Sequence, residues 1–86
     1  MPSTSTTSLA SLLTPIILAV SGVQSCHKIR SRGRADDVQV DLHIQVDAQM
    51  RIVDAHAIAH CVKAQLIERF PQITDATIHI EPARAP

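Results

Sequence analysis

Four histidines recur along the stretch from Gln39 to Glu81: His43, His56, His60 and His79. Imidazole can ligate a metal, move a proton or sit as a polar surface group, so position decides which. His43 lies on the polar side of an alternating run, and His79 and Glu81 lie in step on the polar side of a second one. Two imidazoles and a carboxylate on one surface suit Zn²⁺ or a related divalent ion. Ordinary polar residues on a solvated face produce the same alternation, and that reading stands beside the first. His56 and His60 are four apart, so on a helix both rings reach toward one point. Ala57, not Glu, follows His56, so the hydrolytic HExxH reading fails. His60 also reads as a plain surface histidine, and His27 stands just before a basic run. Cys26 and Cys61 are far apart and form no CxxC pair, so they read as reduced thiols; Cys61 reads as a small semi-buried residue or a soft ligand. No nucleophile motif, Gly-rich phosphate loop or paired cysteines of a heavy-metal chaperone occurs, and an enzyme is not expected.

These residues need elements to position them. From Gln39 to Asp47 the chain alternates strictly, with Val40, Leu42, Ile44 and Val46 on one side. That is a strand with one face on a core and one in water. Ala76 to Glu81 repeats the pattern, with Ala76, Ile78 and Ile80 on one side. Between them, Ile52, Ala55, Ala59, Val62, Leu66 and Phe70 recur at helical spacing. A strand–helix–strand crossover makes the strands parallel and lays the helix on the apolar face. His43, His79 and Glu81 are left on the open face. Upstream, Thr14 suits an N-cap, Pro15 the first helical position and Gly22 the stop, with Leu9 to Leu13 adding a turn. Val23 to Ser31 reads as a further strand, and a loop of several residues around Gly33 joins it to Val38. The expected order is α-β-β-α-β, an α+β fold with two helices on one face of a three-stranded mixed sheet. Residues 1–8 are expected to be disordered, 9–82 to form the domain and 83–86 to fray.

The bulk composition narrows the partners. In 86 residues the acids and the Lys plus Arg balance at eight each, and Phe70 is the single aromatic. A nucleic-acid surface would want a basic face with stacking rings, so none is expected. The cluster Lys28, Arg30, Arg32 and Arg34 reads as a charged strand edge. Leu9 to Val20 is too short to cross a bilayer, and no Lys or Arg precedes it as a secretory signal requires, so membrane insertion is not expected. A core this small gains from a partner subunit or a metal.

At SGVQSCHKIRSR, VQVDLHIQVD, IVDAHAIAH and TIHIEP, the chain from about Pro15 to Pro82 resembles the cytoplasmic C-terminal domain of cation diffusion facilitator transporters, the zinc and iron efflux family. The Ala55-His56 pair and His79-x-Glu81-Pro82 are the most specific signals. The resemblance implies a metallochaperone-like (ferredoxin-like) fold, a cytoplasmic location and a V-shaped homodimer that binds regulatory cations near its interface. It carries metal-ligand roles onto His27, His43, His56, His79 and Glu81, the last often Asp in the family. It implies Zn²⁺ first, with Cd²⁺, Mn²⁺ or Fe²⁺ as other divalent ions, and the membrane domain of a cation-efflux transporter as partner, covalent or in trans. The family's six membrane helices are not in these 86 residues. The expected function is therefore metal binding and dimer regulation. A stand-alone zinc buffer and an interaction module with incidental histidines are the alternatives.

Overall fold

The alternation of Asp37–Val46 becomes the central strand of the sheet. The computed structural model describes residues 9–83; the expected disorder of 1–8 lies outside the described residues, as does the expected fraying of 83–86 beyond Ala83. The order is α1 (Leu9–Leu18), β1 (Ser25–Arg34), β2 (Asp37–Val46), α2 (Ile52–Arg69) and β3 (Ile73–Pro82), with strands arranged β1-β2-β3. β1 pairs antiparallel with β2, and β3 pairs parallel with it through the α2 crossover. Val40, Leu42, Ile44 and Val46 are all buried. Both helices cover that face, with Leu13 and Ile17 from α1 and Ala55, Val62 and Leu66 from α2 completing the core with Ile73 and Ala76.

The details depart from the expected ones in four places. α1 does not begin at Pro15 but runs through it, and Thr14 is no N-cap: its hydroxyl donates to the Ala10 carbonyl at 2.7 Å. A proline inside a helix costs about 3 kcal/mol. Leu13 and Ile17, one turn apart on either side of it, are fully buried. Burying each contributes about 1.5–3 kcal/mol, enough together to hold the helix across the break. Gly22 stands past the end of α1 at φ 97°, where an added Cβ would also lie 2.4 Å from Ile58 Cδ1.

The hairpin is tighter than expected. Only Ala35 and Asp36 turn, and Gly33 lies within β1 opposite Val38 at φ 109°. A Cβ there would meet the Asp37 carbonyl oxygen at 2.1 Å, so the close approach of backbones explains the glycine. In α2 the expected stripe holds at Ala55, Val62 and Leu66, but Ile52 is 87% exposed. It is the helix's first residue, a turn ahead of Ala55, and overhangs the core. β3 starts at Ile73, three residues earlier than the alternation alone places it, because Ile73 pairs with Val38 and is itself buried. At the far end Ala83 donates its amide to Val46 O at 2.7 Å.

Candidate metal centre

The register of the sheet puts three histidines in one row. His27 on β1 is opposite His43 on β2, and His43 is opposite His79 on β3. The His27 and His43 ring centroids stand 5.6 Å apart and those of His43 and His79 4.5 Å, both pairs stacked. One row on, Ser25, Gln45 and Glu81 align in the same way.

A bulge sets His27 in this row. Between His27 and Arg30 β1 carries one residue more than β2, and Lys28 takes φ 55°. Side chains alternate along a strand, so an unbulged β1 would point Lys28 at the core and Ile29 at water. The extra residue shifts the phase. Cys26 and Ile29 pack against the core, Lys28 is exposed, and His27 stays on the open face.

Glu81 ties the row together. Its Oε1 lies 3.1 Å from His27 Nε2, and its Oε2 lies 2.7 Å from His43 Nδ1. One ligand atom from each of His27, His43 and Glu81 falls within 4.8 Å of the others. His43, on the central strand, is the least exposed of the three. The hydrogen bond with His43 holds the Glu81 carboxyl below its usual range, against the opposing effect of partial desolvation, and the nearby His27, His43 and Lys28 add to the lowering. Two imidazole nitrogens and a carboxylate oxygen are a borderline donor set that fits a tetrahedral divalent ion with one position left open. Ligand atoms around such an ion stand about 3.4 Å apart for bonds of about 2.1 Å, so small rotamer changes close the trio on it.

His79 adjoins this trio but turns to a different acid. Its Nε2 lies 3.0 Å from Asp41 Oδ1. Asp41 is two residues from His43 on the same face, and the alternation already put it there; what the sequence did not show is that it reaches diagonally to β3. A carboxylate on one ring nitrogen fixes the tautomer and leaves the other nitrogen as the ligand atom.

His56 lies across the sheet from all of these. With His60 it borders a hollow lined by Ala76 and Ile78, the residues of β3 that alternate with His79. Within the chain the sheet separates it from the three-histidine row. Cys26 is half-buried on the core side beside Thr14; burial raises its thiol pKa, with a hydrogen bond to Thr14 partly opposing, so it is poorly placed as a thiolate ligand. Cys61 is exposed on α2.

The family model for the cytoplasmic domain of cation efflux proteins matches residues 11–83. The chain belongs to the cation efflux family. It corresponds to the cytoplasmic domain of these transporters, a family of transport proteins rather than enzymes. Metal tolerance protein C1 of Arabidopsis thaliana is 36% identical over 67 residues, 78% of this chain and 14% of that protein. The magnetosome protein MamB of Paramagnetospirillum magneticum is 33% identical over 63 residues, 73% of this chain and 21% of that protein. The cation-efflux pump FieF of Cronobacter sakazakii is 33% identical over 67 residues, 78% of this chain and 22% of that protein. The chain thus spans about a fifth or less of the length of these relatives. A solved C-terminal domain of MamM superposes with a TM-score of 0.84 at 21% identity, covering 93% of this chain and 99% of that one. That likeness establishes the metallochaperone-like cation-efflux fold expected from the motifs. No helix among the described residues is long and apolar enough to cross a membrane.

Proposed function

We propose that this cation-efflux domain is the metal-binding regulatory part of a divalent-cation transporter, and that it works as a homodimer. The observation that carries the reading is the convergence of His27, His43 and Glu81 on the open sheet face. Zn²⁺ is the ion the donor set suits best, with Cd²⁺, Mn²⁺ and Fe²⁺ as weaker fits to two nitrogens and an oxygen. His79, oriented by Asp41, stands ready as a further ligand beside the trio. His56, on the other side of the sheet, serves an ion of its own or one shared with a second protomer. The membrane domain of the transporter is the partner that such regulation requires.

Closure of a V-shaped dimer follows from differential affinity. If ligands from both protomers are satisfied together only when the arms approach, the closed form gains population by the difference in binding free energy. An imidazole must be deprotonated to ligate, and its ordinary pKa is about 6.5, so the centre weakens steeply below about pH 6. The test is thermal unfolding with and without zinc at neutral pH. At free zinc about 100 times the dissociation constant, linkage contributes about 2.7 kcal/mol, a rise of roughly 10–20 °C for a domain of this size. The double variant His27→Ala, His43→Ala should lose most of that rise. A rise that survives in full places the ion elsewhere.

A further inference from the structure

The cations of the chain are gathered on one edge of the sheet. The formal net charge is zero, yet four of the eight Lys and Arg residues, Lys28, Arg30, Arg32 and Arg34, fall within one short run that contains no acid. All four are exposed on β1, an edge strand that pairs with β2 alone. Past the bulge, Arg30, Arg32 and Arg34 project from the same side at two-residue intervals, about 6.7 Å apart, beyond the histidine row. Among the described residues none of the four forms an ion pair, whereas Arg51 is paired with Asp54 and Lys63 with Asp75. The acids that face the stripe are engaged elsewhere. Asp41, opposite Arg30, holds His79 at 3.0 Å, and Asp37, opposite Arg34, accepts from the Thr74 hydroxyl at 2.6 Å. Asp75 is paired with Lys63 and feels Arg32 only at longer range, and Glu81, bound to His43, feels Lys28 in the same way. Asp36, in the hairpin turn, is the acid at the end of the stripe.

We propose that this basic stripe docks the domain on anionic lipid headgroups at the membrane surface. Guanidinium forks match phosphate oxygens, and each basic residue held near an anionic leaflet raises partitioning about fivefold. The contact is electrostatic and needs no insertion into the bilayer. Three observations select lipid over other polyanions. The chain is the cytoplasmic domain of a family of membrane transporters, so a bilayer is the polyanion always within its reach. A nucleic acid would want stacking rings, and the single aromatic, Phe70, stands at the end of α2 instead. An acidic peptide added as a fourth strand would need a regular edge, and Lys28 at φ 55° and Gly33 at φ 109° leave only residues 29–32 regular between them. The inference uses none of the metal ligands and does not rest on the regulatory reading.

The experiment is co-sedimentation of the full chain with vesicles of phosphatidylglycerol and phosphatidylcholine in equal parts, set against vesicles of phosphatidylcholine alone. The chain should bind the anionic vesicles only, and less as salt rises. Arg32→Gln with Arg34→Gln should lower that partitioning about 25-fold. Arg51→Gln with Arg69→Gln removes the same charge from elsewhere on the surface and should leave it nearly intact. All four positions are exposed, and an unchanged amide NMR spectrum confirms that the fold persists. Equal losses in the two double variants would mean that net charge alone binds, and would overturn the stripe. Equal binding to both kinds of vesicle would overturn the electrostatic contact. Saturable shifts of the stripe's resonances with inorganic phosphate would assign it to a soluble anion, and tighter binding to poly-glutamate than to the anionic vesicles at equal charge would assign it to an acidic protein; either overturns the lipid proposal. The zinc-dependent rise in melting temperature should survive in the Arg32→Gln, Arg34→Gln variant, which separates a failure here from a failure of the metal centre.

Discussion

The two faces of β2 put the same backbone to opposite uses. One face holds Val40, Leu42, Ile44 and Val46 in a packed core; the other holds Asp41, His43 and Gln45 half-exposed. The hydrogen-bonded ladder fixes both sets equally well. The packed face is constrained by volume, because any missing methylene leaves a cavity. The open face is constrained only by what its side chains bind. A small domain can thus carry a positioned metal centre at little cost to its stability, since the core on the reverse side holds it in place.

That contrast is sharpest in neighbouring residues. Leu42→Ala should destabilise the domain by about 2–5 kcal/mol, read from chemical denaturation. His43→Ala, one residue on, should change the metal-free stability by no more than about 1 kcal/mol, since its contact with Glu81 is part-exposed, yet it should abolish tight zinc binding. Comparable losses of metal-free stability in the two variants would collapse the distinction between the faces.

A finer test concerns the acid that positions rather than ligates. Asp41→Asn keeps the shape but weakens acceptance from His79. It should lower zinc affinity by about tenfold, with the metal-free melting temperature nearly unchanged. An unaltered affinity would mean that His79 takes no part in the centre.

The bulge allows a test in which the open face depends on the backbone. Lys28 at φ 55° pays for a left-handed conformation that glycine adopts freely. Lys28→Gly should stabilise the domain by about 0.5 kcal/mol and keep His27 in its row. Lys28→Val, β-branched, should cost more than about 1 kcal/mol and weaken zinc binding through His27. If the two variants behave alike, Lys28 is not left-handed in solution.

The smallest effect is electrostatic. The Glu81 carboxyl is held below its usual range chiefly by the hydrogen bond with His43. A depressed carboxyl contributes stability above its ordinary pKa and loses it as pH falls through the lowered value, so the window lies below about pH 4. Acid titration of the metal-free Glu81→Gln variant should show a shallower fall in stability there than the unaltered chain. An identical curve would remove Glu81 from the account of acid sensitivity.

Much of this is legible in the amino-acid sequence. The alternation of β2 placed His43 on the open face, and the period of α2 implied the crossover that makes β3 its parallel neighbour. The family motifs pointed to His27. What periodicity could not carry was phase. A bulge is one extra residue with no composition of its own, so nothing in Lys28-Ile29 announced that β1 would change register. Pro15 read as a helix start because local chemistry favours it there; the burial of Leu13 and Ile17 on both sides of it is a tertiary effect. Asp41 was visible as a polar residue, but its reach to His79 needed the β2–β3 register.

The central claim is that His27, His43 and Glu81 hold one divalent ion. Zinc-edge X-ray absorption on the chain loaded with one equivalent of Zn²⁺ at neutral pH tests it most directly. The account predicts a first shell of nitrogen and oxygen at about 2.0–2.2 Å with the outer-shell scattering of at least two imidazoles, and no sulfur near 2.3 Å. In the His27→Ala, His43→Ala variant, dialysed against the same free zinc, bound zinc and its imidazole scattering should both fall, because the trio's two rings are gone. A sulfur shell, or a spectrum identical in the two proteins, would contradict it.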